Sequence, residues 1–480
     1  MTPAIAWFRR DLRLDDLPAL AAAVDAGSDD VVPLFVVDPS LLAPAGPNRR
    51  RFLAAALRAL DRELGSKLVL RSGSPRQVVP AFAAEVGASV VVTSADFGPY
   101  GAARDRAVEQ ALAAAGRRLL AVDSPYVAVP GTIRSASGSP PRIFSAFRRA
   151  LEASDWERPV TCQADANFVG ARSDASVDEI EKGVATPGRH GLPEWWEGLP
   201  LETAPRLPPA GPLAARARLE SFVTGTLANY ATDRDRPALA GTSGLSPYLR
   251  FGCIHPRTVL SRLGTGAGAD RMRDELAWRE FYAHVLWHRP DSARVPLQAF
   301  GRYLRWDTGE RAQERFRTWA MGRTGYPLVD AGMRQLLAEG WMHNRVRMVT
   351  ASFLVKDLHI DWRFGARWFM WHLVDGDLAS NQHGWQWVAG TGTDAAPFHR
   401  VLNPETQRQR FDPDGTYVRR YLGDQVGAGG SAPLDSLWGQ TAAYPEPVVD
   451  HAKERRETLA RFEEARGLAV ANEAPAAALG

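Results

Sequence analysis

A chain of 480 residues is too long for one small domain and has material for two or three, each with its own core. Its 45% hydrophobic and 24% charged composition is that of a globular protein, and no apolar run is long enough to span a bilayer, so no membrane partnership is expected. With only Cys162 and Cys253 there is no disulfide framework and no all-cysteine metal site; MTPAIAWFRRDLRLDD lacks the apolar core of a signal peptide, so a cytoplasmic protein without a metal is expected.

The net charge of +3 conceals unlike segments: residues 1–150 carry 19 basic and 14 acidic groups, 151–224 carry 7 and 12, 225–425 carry 27 and 21, and the rest 5 and 8. A basic segment beside an acidic one permits a local positive face for a polyanion. Nearly all the cations are Arg, which suits bidentate phosphate contacts, although genome base composition also enriches it.

In chain order, AIAWF, VVPLFVVD, KLVLRSG, ASVVVTSAD and RRLLAVD are short β-rich runs separated by Ala/Arg-rich amphipathic segments. They predict an α/β domain with a parallel, Rossmann-like sheet over residues 1–131. Asp16, ahead of Leu17 and Pro18, is the expected start of the first helix. Ligands in such sheets sit at C-terminal strand ends, here near Phe35 to Asp38 and Asp96, but no G-x-G-x-x-G follows the first strand. Residues 132–212, with TPGRHGLPEWWEGLP and APRLPPAGP, predict a surface linker. Residues 213–480 predict an all-α domain, from segments such as RMRDELAWREFYAHVLWH and PLVDAGMRQLLAEG; after Asp450 one charged helix leads into a frayed Ala/Pro tail.

The stretch from Gly340 to Trp387 holds six Trp, and buried indoles need N–H partners. Such density points to a π-binding or electron-conducting site, with a Trp-rich helical core as the alternative. Glu275, Trp278 and Tyr282 share one helix face beside Arg279, a pairing of carboxylate and indole that suits a flat polar heterocycle. Asn344, Arg347 and Met348 share another face. Either motif alone fits a half-buried amphipathic helix.

The motifs TSGLSPYLRFG, ELAWREFY, TGYPLVDAGMRQL, GWMHNRVRM, VDGDLASN and GWQW, with the opening WFRRDLRLDD, resemble the DNA photolyase/cryptochrome family, specifically its class I cyclobutane pyrimidine dimer photolyases. The resemblance runs in the family's order from residue 4 to about 425. It implies an N-terminal antenna domain, a long linker and a C-terminal helical domain holding FAD. Carried over by position, Tyr230, Thr242, Ser243, Gly244, Leu245 and Ser246 are expected on the phosphate and adenosine side of FAD, where hydroxyls and backbone N–H groups near a helix start suit a phosphate. Arg279, Asn344, Arg347, Asp375, Gly376, Asp377 and Asn381 are expected around the rest of the cofactor, with Arg347 and Asp375 as a buried pair. Asn381 would face the central flavin ring, where a neutral amide tolerates a reduced flavin; similar plant cryptochromes carry Asp there.

Glu275, Trp278, Asn344, Met348 and Trp387 match the pocket for a pyrimidine dimer flipped out of DNA. Arg234, Arg345 and Arg400 match backbone-binding positions. Trp385, Trp362 and Trp306 match a chain of indoles carrying an electron to the flavin, although the spacing from Trp306 to Trp319 is longer than usual. Met272 stands where many relatives have Trp. For a second chromophore, Tyr100 and Gly101 replace the Asn-Glu pair of folate-binding relatives, whereas Phe35, Asp96, Arg104 and Arg250 match deazaflavin-binding positions. 8-Hydroxy-5-deazaflavin is therefore favoured over methenyltetrahydrofolate, an empty pocket or a second flavin being the other readings. The resemblance implies a monomeric lyase acting on DNA that contains pyrimidine dimers. A cryptochrome-like photoreceptor is the alternative, and a (6-4) photolyase would want a His pair where His343 stands alone.

Overall fold

The computed structural model describes residues 2–27, 30–135, 137–160, 166–183, 192–393, 400–423 and 444–477, the last five by backbone only. Ala136 and two longer stretches of the expected linker, including Cys162 and most of TPGRHGLP, lie outside the described residues.

All five expected strands form: β1 (Ala4–Phe8), β2 (Asp30–Val37), β3 (Val69–Ser72), β4 (Val90–Thr93) and β5 (Arg118–Ala121). They pair in parallel in the order β3-β2-β1-β4-β5. β1 and β4 are buried along their whole length, because helices cover both faces of a parallel sheet. On one face Ile5, Trp7 and Leu34 pack with Val79, Phe82, Val108 and Leu112 from helices Pro75–Glu85 and Pro99–Ala114. On the other, Ala4, Ala6 and Phe8 join Leu20, Phe52 and Leu57 in a core that continues into the helical domain through Tyr248, Phe251, Met272 and Leu276. Phe52 stacks on Phe251 with ring centroids 5.1 Å apart. The two domains thus share one hydrophobic core.

Regular elements lie where the sequence predicts linker or tail. A two-residue strand, β6 (Asn167–Phe168), adds to the start of β2 from within the expected linker. The same linker contains helices Phe144–Glu152 and Val177–Lys182, the second closed by a Ser176/Glu179 capping box. The last helix, His451–Ala477, runs into the Ala/Pro stretch expected to fray.

Asp16 does not cap its helix. Leu17 occupies the N-cap of Pro18–Ala26, and the Asp16 carboxylate reaches the other domain instead, accepting from Arg257 Nε at 2.7 Å and Thr258 Oγ1 at 2.6 Å. Asp123 takes the remaining Arg257 nitrogens at 3.1 and 2.6 Å. Both aspartates sit at positive φ, 53° and 67°. A buried guanidinium needs carboxylate partners more than a Pro-initiated helix needs a cap, and that need recruits Asp16. Close by, Gly252 (φ 68°) lets the domains touch backbone to backbone, since a Cβ there would lie 1.9 Å from the Arg10 carbonyl oxygen.

The helical domain is built mainly from Ser246–Phe251, Ala267–His288, Pro327–Glu339, Asn344–Ser352, Trp362–His372 and Leu378–Ala389. No helix among the described residues is long and apolar enough to cross a membrane.

Candidate functional site

A cavity of about 550 Å3 opens between the Ala267–His288, Asn344–Ser352 and Leu378–Ala389 helices and the Thr242–Arg250 segment. Tyr230, Thr242, Ser243, Gly244, Ser246, Arg279, Asn344, Arg347, Asp375, Gly376, Asp377 and Asn381 all line it. Leu245 does not: its side chain is fully buried in the interdomain core, where an apolar group at the start of Ser246–Phe251 gains more than at a polar wall.

One end of the cavity is a loop held from behind. Arg218 donates to the carbonyls of Ser243 at 2.6 Å and Thr242 at 2.7 Å, fixing the Thr-Ser-Gly turn whose Gly244 adopts φ 63°. Asp375 accepts from Arg347 Nη2 at 2.9 and 3.2 Å and from Ser246 Oγ at 2.6 Å, tying this loop to the opposite wall. Asp377 caps the Leu378–Ala389 helix through Ser380 N at 3.1 Å and pairs with Arg10 Nη2 at 2.8 Å. Burial by itself would raise the Asp377 carboxyl; Arg10, Arg250 and Arg279 more than reverse that and hold it well below the usual carboxylate range. Asn381 uses Nδ2 twice, donating to the Ala366 carbonyl at 3.0 Å and to Gln382 Oε1 at 2.9 Å. Its other polar atom is then an acceptor.

Glu275, Trp278, Asn344, Met348 and Trp387 line the same cavity. Trp278 is stacked on Phe144 of the linker helix, centroids 3.7 Å apart and planes within 4°. Phe144 was not singled out from the sequence, where nothing local marks it. Burial raises the Glu275 carboxyl, with Arg234 and Arg271 opposing. Two of the expected DNA-backbone cations are not free surface charges: Arg234 Nη2 is 2.8 Å from Glu275 Oε1 and Arg345 Nη2 is 2.9 Å from Asp235 Oδ1. Both line the cavity, whereas Arg400 is exposed. Charges this close to a low-dielectric pocket pair within the protein when no polyanion is present. His343 is a buried N-cap, its Nδ1 accepting from Arg345 N at 3.2 Å, and burial lowers its imidazole to about 4.

The tryptophans divide between the two readings. Trp341, Trp385 and Trp387 line the cavity, Trp385 as a buried member of the helical core as well, while Trp362, Trp368 and Trp371 belong to that core without reaching the cavity. Gly365 makes room for Trp385, since a Cβ there would sit 2.2 Å from the indole. The rings seen around Trp385 are Phe369 at 4.9 Å and Trp319 at 6.2 Å. Trp362 is buried, and Trp306 is half-buried where the core meets Leu304, Phe462 and Ala465.

At the sheet's C-terminal edge, Asp96 accepts from Gly98 N at 3.1 Å and Arg104 Nη2 at 3.2 Å. Burial would raise Asp96, but Arg10, Arg104 and Arg9 pull it below its ordinary value. Phe35 lies two residues before the end of β2, as part of the interdomain core. Tyr100 donates to Asp38. Arg250 faces the central cavity, its Nε donating to the Gly376 carbonyl at 2.8 Å; burial and then Arg10 lower it to about 10. Arg49 is lowered to about 9 by burial, Arg250 and Arg50. Arg10, Arg49 and Arg218 were missed in the sequence, although Arg10 lies inside the WFRRDLRLDD motif.

A parallel α/β domain fused through its core to a helical domain with a deep polar and aromatic cavity defines a two-domain protein built to hold a large, charged, partly flat ligand. Residues 4–164 match the family model "DNA photolyase", and residues 272–464 match "FAD binding domain of DNA photolyase". A deoxyribodipyrimidine photo-lyase of Agrobacterium fabrum is 38% identical over 96% of this chain and 97% of its own. The crystal structure of a bacterial class III photolyase from Agrobacterium tumefaciens superposes with TM-score 0.84 at 35% identity, covering 97% of this chain and 98% of that one. An archaeal photolyase from Sulfolobus tokodaii, solved with two FAD molecules, gives 0.80 at 27% identity, covering 96% and 100%. The chain belongs to the DNA photolyase/cryptochrome family.

Proposed function

We propose that this protein is a light-driven DNA repair enzyme, a deoxyribodipyrimidine photo-lyase that splits cyclobutane pyrimidine dimers. The observation that carries this reading is that the residues expected to meet the lesion and those expected to meet FAD open onto one cavity. The cavity fits FAD: its volume is within the ordinary range for cofactor sites, a Cβ built on Gly384 meets nothing within 4 Å, and a turn of hydroxyls and backbone N–H groups closes one end. Bound and fully reduced, FAD would supply an excited electron to the dimer and take it back after ring opening.

This chain's residues would do the rest. Arg347 and Asp375 orient the wall beside the flavin, and Asn381 presents an acceptor suited to a reduced ring N–H. Trp278 and Trp387 hold the flipped bases by stacking. Glu275 stabilises developing charge on the dimer by a hydrogen bond. Reduced, FAD-loaded protein should lower the dimer content of an oligonucleotide under blue light; undiminished dimer with FAD bound would overturn repair in favour of a light sensor. In the same assay Glu275→Ala should reduce repair per absorbed photon with FAD retained, one charge-assisted hydrogen bond being worth about 1.5–3 kcal/mol. Loss of flavin instead would make Glu275 structural.

Trp385, Trp362 and Trp306 are assigned to photoreduction of oxidised FAD. Trp385→Phe should abolish photoreduction yet leave repair by chemically reduced protein intact, and normal photoreduction would refute the assignment. The class I reading rests on the quoted motifs; a class III reading is favoured by the Agrobacterium tumefaciens structure. For the second chromophore we favour 8-hydroxy-5-deazaflavin at Phe35, Asp96, Arg104 and Arg250, supported by the cationic surroundings of Asp96 and by Tyr100 and Gly101 at the folate positions. Expression in a deazaflavin-making host, extraction and mass spectrometry test it: folate alone would overturn it. We assign the protein to the cytoplasm, as a monomer.

A further inference from the structure

Two of the cavity's lining residues, Arg234 and Glu275, form an ion pair that occupies the carboxylate expected to meet the lesion. Arg234 Nη2 lies 2.8 Å from Glu275 Oε1, with 10% of the arginine side chain and 29% of the glutamate exposed. The guanidinium also sits 5.8 Å from the centre of the Tyr230 ring. The adjacent Asp235 holds Arg345 in the same way. Each of these cations therefore has a carboxylate partner that a backbone phosphate could replace, because a phosphate carries charge of the same sign and can accept from two guanidinium N–H groups at once.

The exchange matters for Glu275. An ionised carboxylate accepts a pyrimidine ring N–H but cannot donate to a pyrimidine carbonyl; a protonated one can do both. We propose that Arg234 guards Glu275 in the free protein and releases it when a backbone phosphate of the bound strand takes over the guanidinium, so that DNA engagement itself readies the carboxyl for the lesion. Arg234 is thus a positioning residue, and this rests on the repair function proposed above.

The surroundings favour a proton uptake from solvent at that moment. Burial already raises Glu275; Arg234 is the foremost opposing group, Arg271 the next, while Asp274 and Asp235 add to the rise. Removing Arg234 takes away the foremost group opposing burial and the two neighbouring carboxylates, with Arg271 next in line. Tyr230 stays a neutral phenol beside them, burial and Glu275 both raising it. The proton returns to solvent when the strand leaves and the ion pair closes.

Infrared difference spectra of the FAD-loaded full-length protein at neutral pH, with Glu275→Gln as the subtraction reference, read the protonated carboxyl directly. Its C=O band should grow when a dimer-containing oligonucleotide binds. Arg234→Gln should show the band before DNA is added, and Arg234→Lys should largely restore the wild-type spectrum. The slope of log affinity against log salt should fall by about 0.9 in Arg234→Gln, as for one lost phosphate contact in duplex DNA. A wild-type band unchanged on binding, or free Arg234→Gln indistinguishable from wild type, overturns the guard. Repair measured on the same samples separates the two ideas: normal repair with an unchanged band sinks only the guard, whereas bound FAD and no repair sinks both.

Discussion

Asp375→Ala should release FAD and destabilise the protein by about 3 kcal/mol, toward the low end for breaking a buried ion pair. The low end applies because Arg347 keeps 24% of its side chain exposed and its Nε bond to the Met342 carbonyl at 2.7 Å. The Asp375 side chain is only 4% exposed and joins Arg347 to Ser246, so its loss uncouples the loop at one end of the cavity from the helix opposite. Flavin absorbance per mole of protein after gel filtration, with a urea midpoint, reads both effects. Full flavin content and an unchanged midpoint would show that the pair neither shapes the cavity nor supports the fold.

Arg257→Met should cost more, about 3–5 kcal/mol, because both its partners stay behind in a low-dielectric interior without their cation. Arg257 is fully enclosed and spans the domains, bonded to Asp16 on one side and Asp123 on the other. The methionine keeps much of the side-chain volume, which assigns the loss to charge more than to a cavity. Denaturant unfolding measures it, and native-state hydrogen exchange should lose protection first around residues 252–258, where the domains meet. A change below 1 kcal/mol would mean the shared apolar core holds the domains together unaided.

The contrast between these two sites shows what could be read in advance. The pairing of Arg347 with Asp375 is what the resemblance implies position by position, and the structure brings them within 2.9 Å. Nothing local marks Arg257, and the local signals around its partner Asp16 predict a helix start. The local preference was real, but a stronger, distant one overrode it.

The sequence by itself determined the five strands, the helical second half and most of the cavity wall. Alternation of β-rich runs with amphipathic segments is a local property, whereas the cavity wall is legible through the resemblance that its motifs carry, residue by residue. Only the tertiary structure decided that Leu245 turns into the core, that Phe144 backs Trp278, that β6 extends the sheet from the linker, and that Arg234 closes on Glu275. These contacts bridge residues far apart in the chain, as with Arg257 and Asp16, 241 positions from one another. A side chain's partner at such range depends on which surfaces the fold buries together, and burial turns a weak local preference into a strong demand for a specific neighbour.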